Sequence, residues 1–116
     1  HFKEAKALMR KAMPVAQRIL GEGDTTTLKL RWIYAKARYL DANATLDDLR
    51  EAVTTLEDTE RIARRVLGGS HPMTARNEVD LQKARALRDA REDLETISGD
   101  VNAIREAMAA MAPGNA

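Results

Sequence analysis

The chain has 116 residues, room for one small domain. Its 19 basic and 18 acidic residues leave a net charge of +1, which gives no bulk attraction to nucleic acid or to a membrane surface. There are no cysteines, so disulfides and thiolate metal sites are excluded, and no apolar run approaches the roughly 20 residues that span a bilayer.

Aromatic residues make up only 3 % of the sequence, so a core must be built from Leu, Ile, Val, Met and Ala, which suits helices better than strands. Residues 2 to 20 predict a first helix. Phe2, Ala5, Leu8, Ala12, Val15, Ala16 and Ile19 recur at helical spacing, and Pro14 inside it is expected to kink or locally break it. Gly21 or Gly23 closes this helix, and Asp24 or Thr25 caps the next. Residues 25 to 41 form a helix with two apolar faces: Leu28, Trp32, Ala35 and Tyr39 on one, Leu30, Ile33, Ala37 and Leu40 on the other. Such a helix is packed on two sides, which places it between the first and third helices.

Thr45 and Asp48 have the spacing of a capping box with a shortened acid. A third helix follows, from about Leu46 to Leu67, with Leu49, Ala52, Val53, Leu56, Thr59, Ile62, Ala63 and Val66 as its stripe. Its early Asp47, Asp48 and Glu51 and late Arg61, Arg64 and Arg65 complement the helix dipole. Gly68 and Gly69 end it, Ser70 is placed to cap a fourth helix, and Pro72 suits that helix's first turn. The fourth helix is expected to reach about Arg91 on a weaker stripe of Val79, Leu81, Ala84, Ala86 and Leu87. Residues 92–99 read as a linker ending in Ser98-Gly99. Asp100 then caps a short helix over 100–112, with Ile104, Ala107, Met108 and Met111 on one face, and 113–116 form a frayed tail.

Sliding the chain by 47 residues brings more than the two glycine joints together. Ala16, Arg18, Leu20 and Gly21 fall on Ala63, Arg65, Leu67 and Gly68; Thr27 falls on Thr74; Lys36, Ala37, Arg38 and Leu40 fall on Lys83, Ala84, Arg85 and Leu87. Self-similarity at such a period marks stacked helical hairpins, and residues 1–91 divide into two of them. The joint Leu67-Gly68-Gly69-Ser70-His71-Pro72-Met73-Thr74 resembles the L-G-x-x-H-P-x-T joint of kinesin-light-chain-type tetratricopeptide repeats, and residues 44 to 52 leading to 63 to 68 resemble the second helix of such repeats. The first joint carries Asp24-Thr25 in place of the His-Pro pair, and the 47-residue period exceeds the family's usual repeat. The resemblance spans about residues 3 to 90. It implies an all-α fold of antiparallel hairpins stacked as a short right-handed solenoid of about five helices, with the last helix covering the end of the fourth. Gly21, Gly68, Gly69, Ser70, His71 and Pro72 are then structural joints.

No catalytic constellation is visible. Ser70 and Ser98 sit at helix starts, where capping explains them, and no motif places an acid or nucleophile around His71. Two separated histidines without cysteine give no zinc pattern, and the acidic clusters lack calcium-loop spacing. The expectation is a non-enzyme with no cofactor, metal or small-molecule substrate. In tetratricopeptide arrays the first helix of each pair lines a concave groove. By that resemblance Lys29, Trp32, Lys36 and Tyr39 face the groove, with Arg76 and Lys83 beside them, and the partner is a protein or peptide segment of acidic character. The residues by themselves favour the other reading, with Trp32 and Tyr39 in the core and the lysines on a solvated seam, since scarce aromatics usually go to the core. The alternative function is a structural or linker subunit docking through its helix faces. Arg61, Arg64, Arg65, Lys83, Arg85, Arg88 and Arg91 could form a basic surface, but interleaved Glu57, Glu60, Asp89 and Glu92 argue against a phosphate-tracking stripe. The start at His1, in mid-pattern, suggests part of a longer chain or complex; no targeting signal is seen, and an intracellular setting is favoured.

Overall fold

Four helices account for nearly all of residues 2–112, the part of the chain described by this computed structural model; His1, the side chain of Phe2 and the expected tail at 113–116 lie outside it. The helices are α1 (Phe2–Leu20), α2 (Thr25–Tyr39), α3 (Leu46–Leu67) and α4 (Pro72–Met111). The described residues contain no strand. α1 continues across Pro14 without a break.

The two joints are copies of one another. Gly21 and Gly68 both take a positive φ, 90° and 91°, and each donates its N–H to the carbonyl four residues back at 3.1 Å. Asp24 and His71, again 47 residues apart, are both N-caps, with φ/ψ of −67°/137° and −69°/138°. Asp24 Oδ1 accepts from the N–H of Thr26 at 2.8 Å, and His71 Nδ1 accepts from that of Met73 at 3.0 Å. The cap of α4 is therefore His71 and not Ser70, which is exposed. An imidazole nitrogen here does the work that a carboxylate does in the first joint, satisfying an orphan donor of the first turn. Thr27 and Thr74, both fully buried, donate to the carbonyls of Ala16 within α1 and of Gly68 at the C-cap of α3.

Gly68 has ψ 158°, so it sits in a region of backbone space that is essentially reserved for glycine. A Cβ added there meets nothing within 4 Å, so backbone strain alone sets the penalty. Gly68→Ala is expected to lower the unfolding free energy by about 2 kcal/mol in urea titrations. At Gly69 a Cβ meets only the flexible end of Arg64, and Gly69→Ala should change stability by less than about 0.5 kcal/mol. Equal effects at the two positions would contradict this assignment of the joint.

α2 is packed between α1 and α3, as its two apolar faces predict, and also touches α4; among the described residues the backbones of α1 and α3 do not come together. The larger core cluster joins Ala35 and Tyr39 of α2, Leu49, Ala52, Val53 and Leu56 of α3, and Leu81 and Ala84 of α4. Ala35, Ala52 and Ala84 are fully buried, and their small side chains let the helices approach closely. A smaller cluster of Leu28, Ile62 and Ala63 lies beside the second joint, with Leu67 against it. At the start of α3 the predicted capping box is complete: Thr45 Oγ1 accepts from the Asp48 N–H, and Asp48 Oδ2 accepts from the Thr45 N–H.

The C-terminal part departs from the sequence expectation. Residues 92–99 are not a linker and 100–112 do not form a separate fifth helix; α4 runs unbroken for 40 residues. Its length is about 60 Å at 1.5 Å per residue, close to the 69 Å longest dimension of the molecule. Gly99 sits inside it with no positive φ, so it weakens the helix by about 1 kcal/mol relative to alanine without ending it. Among the described residues nothing folds back over the second half of α4, and residues 93–112 are all exposed.

Candidate functional site

Helices α2 and α4 come together around Trp32, the only tryptophan of the chain. Its indole is half-buried, resting against the larger core cluster, and its Nε1 donates to Oδ2 of Asp80 on α4. The other oxygen of the same carboxylate accepts from the hydroxyl of Tyr39, one turn further along α2 from Lys36. Asp80 is only 6 % exposed, so one buried carboxylate clamps two aromatic rings of α2 to α4. Lys36 Nζ stands 4.8 Å from the centroid of the Trp32 ring, and the guanidinium of Arg76 stands 5.9 Å from it, both within cation–π range.

Around this assembly is an open cleft of about 400 Å³. Trp32 and Lys36 line it from α2; Arg76, Val79, Asp80 and Lys83 line it from α4. Four of the six residues that the sequence points to thus share one cleft. The other two do not join them. Tyr39 is 4 % exposed and belongs to the core, because its ring fills the space between α2, α3 and α4 and its hydroxyl is satisfied by Asp80. Lys29 is exposed on α2 but does not line the cleft. Sequence reasoning missed Asp80, since its partners lie 41 and 48 residues away and no local pattern marks it. Three cations against one buried carboxylate leave the cleft positive, with Val79 as an exposed apolar rim.

Burial is the main cause that pushes the Tyr39 phenol above its ordinary range, reinforced by its bond to the Asp80 carboxylate. A raised folded-state value means that the unfolded chain loses this proton first. The stabilising contribution is complete below the ordinary phenol pKa of about 10 and is lost as pH rises from there toward the folded-state value. Urea midpoints of the wild type should therefore fall more steeply above about pH 10 than those of Tyr39→Phe. Parallel curves for the two proteins would show that Tyr39 is not held in this way.

A second polar network lies across α2. Arg38, 7 % exposed, is buried among α2 and α3. Its guanidinium donates to the Tyr34 hydroxyl at 2.8 Å and pairs with Asp48 at 2.6 Å and Glu51 at 2.7 Å. Tyr34 in turn donates to Glu51 at 2.8 Å. The Thr45 N–H, more than Arg38, holds the Asp48 carboxyl below its usual range against the opposing effect of burial. This network joins α2 to the start of α3.

A third feature is apolar. Leu8, Ala12, Val15, Ile19 and Leu20 of α1, with Leu30 of α2, line an open groove of about 470 Å³. Leu8 and Ile19 are 65 % and 70 % exposed. Among the described residues, no group of three or more His, Asp or Glu side chains is arranged to hold a metal ion, and no helix is long and apolar enough to cross a membrane. The chain matches no family model, no curated protein and no solved structure.

Proposed function

We propose that the chain is a non-enzymatic protein-interaction module, a tetratricopeptide-like segment of right-handed α-solenoid that binds an acidic partner segment in the cleft around Trp32. The convergence of Lys36 and Arg76 on a half-buried indole, with Lys83 lining the same cleft, carries this proposal. The duplicated joints support the repeat architecture, as does the packing of α2 on α4 in addition to its chain neighbours. A segment with carboxylates for the three cations and one apolar side chain for Trp32 and Val79 matches the chemistry of the cleft. No cofactor enters this function.

Trp32 reports on the cleft directly, because no other tryptophan contributes to the emission. Titration with short Glu-rich peptides carrying one apolar residue should shift or quench it. Lys36→Glu/Lys83→Glu should weaken binding at least about tenfold, and added salt should weaken the wild type in the same direction. An unchanged emission with every such peptide would contradict the proposal. The second reading, a structural subunit docking through its helix faces, rests on the apolar groove of α1, since grooves of that kind are rarely left open to water.

A further inference from the structure

The exposed half of α4 carries an apolar pattern of its own. Leu94, Ile97, Val101, Ile104, Met108 and Met111 are spaced alternately three and four residues apart, and all are between 41 % and 83 % exposed. Leu87 and Ala90 carry the same register back toward the body of the molecule. This is a heptad seam of about three and a half repeats, in which Leu87, Leu94, Val101 and Met108 occupy the a positions and the remaining four the d positions. Leu87, Ala90 and Leu94 line an open pocket of about 440 Å³ with Leu40, Ala44 and Leu49, and the fully projecting part of the seam runs from Ile97 to Met111. Leu46 and Arg50 face Glu92, Glu95 and Thr96, which belong to the outer positions f, b and c. Arg50 bonds Glu92 at 3.4 Å, so Arg50 engages an outer position of α4 and not the seam.

The residues flanking the seam say what covers it. One flank, position e, carries Arg91, Ser98 and Arg105; the other, position g, carries Asp93, Asp100 and Ala107. The flanks therefore differ in sign. When two copies of such a helix lie parallel, each g residue faces the following e residue of its neighbour, so Asp100 meets Arg105 across the seam in both directions. When they lie antiparallel, g faces g and e faces e, and aspartates meet aspartates while arginines meet arginines. We infer that the projecting half of α4 is a self-association helix, and that a second copy of this chain, aligned in parallel, covers its Leu94–Met111 seam. The two cleft-bearing bodies then stand at the same end of the shared stem, an arrangement that is bivalent if the cleft binds the segment proposed above, while the seam itself does not depend on that binding. Val101 at an a position favours two strands, whereas Leu94 paired with Ile97 favours more, so the parallel assembly has two or more copies.

Sedimentation equilibrium of the chain from about 5 to about 200 μM should give a mass that rises with concentration to at least twice the 12.9 kDa of one chain. Ile97→Asp/Ile104→Asp should return it to one chain over that range while leaving the urea unfolding of the dilute protein unchanged, since both side chains are exposed in a single copy. The chain has no cysteine, so Met111→Cys supplies a single thiol at a d position, and mild oxidation should give a disulfide-linked pair only if the seams are parallel. Asp100→Arg and Arg105→Asp should each weaken association, and the two together should restore it. A single-chain mass throughout, an assembly untouched by the Ile97/Ile104 change, an uncrosslinked Met111→Cys assembly, or tighter association of Asp100→Arg alone would each overturn the inference.

Discussion

Replacing Asp80 by alanine is expected to lower stability by about 3 kcal/mol and to dismantle the cleft at the same time. The carboxylate is 6 % exposed and accepts from two aromatic donors, Trp32 Nε1 and Tyr39 OH. Removing it leaves the Tyr39 hydroxyl buried without an acceptor, and hydrogen bonds to a charged group are stronger than neutral ones. The melting temperature should fall by about 10 °C or more. Trp32 emission should also move to longer wavelength, because the indole loses the bond that holds it against the core. A companion variant separates the bond from the packing. In Tyr39→Phe/Asp80→Leu the buried donor and its acceptor are removed together, and much of the stability should return while the emission stays shifted. If Asp80→Ala melts within about 2 °C of the wild type, the buried carboxylate is not what fastens α2 to α4.

The second large effect belongs to Leu56. It is fully buried at the middle of α3, among core residues of α2 and α4. Leu56→Ala should lower the unfolding free energy by about 3 kcal/mol, combining lost burial with a cavity that rigid helices only partly close. Leu8→Ala, in the open groove of α1, should change it by no more than about 0.5 kcal/mol, because its side chain is 65 % exposed already. Chemical denaturation of the two variants side by side checks the ranking. Equal losses would mean that α1's outer face is covered in solution.

What the sequence made legible follows from where the determinants lie. Gly21, Gly68 and Pro72 act through their own backbone, so the joints and the limits of α1 to α3 could be read locally. The two apolar faces of α2 foretold its central place for the same reason. Ser98-Gly99-Asp100 misled, because glycine followed by a capping residue is also how a helix ends and another begins. A helix ends at glycine when the backbone turns there into positive φ, as at Gly68, and Gly99 does not turn. Arg38 and Asp80 were not legible as buried groups. A charged side chain enters a core only when partners meet it there, and those partners, Asp48 and Glu51 for Arg38, Trp32 and Tyr39 for Asp80, are brought near by the fold. The same long-range contact decided between Trp32 and Tyr39: both reach Asp80, but only Trp32 lies at the edge of the helix pair, where solvent reaches its ring.

The cleft, the apolar groove of α1 and the stem of α4 lie on different parts of the molecule, so one experiment distinguishes their roles. Amide and indole NMR shifts of the uniformly labelled chain would be followed during addition of a Glu-rich peptide bearing one apolar residue. Changes are expected at the Trp32 indole, Lys36, Arg76 and Lys83, with the Leu8–Leu20 face of α1 unmoved. Changes centred on α1, or no saturable change anywhere, would contradict binding at the cleft.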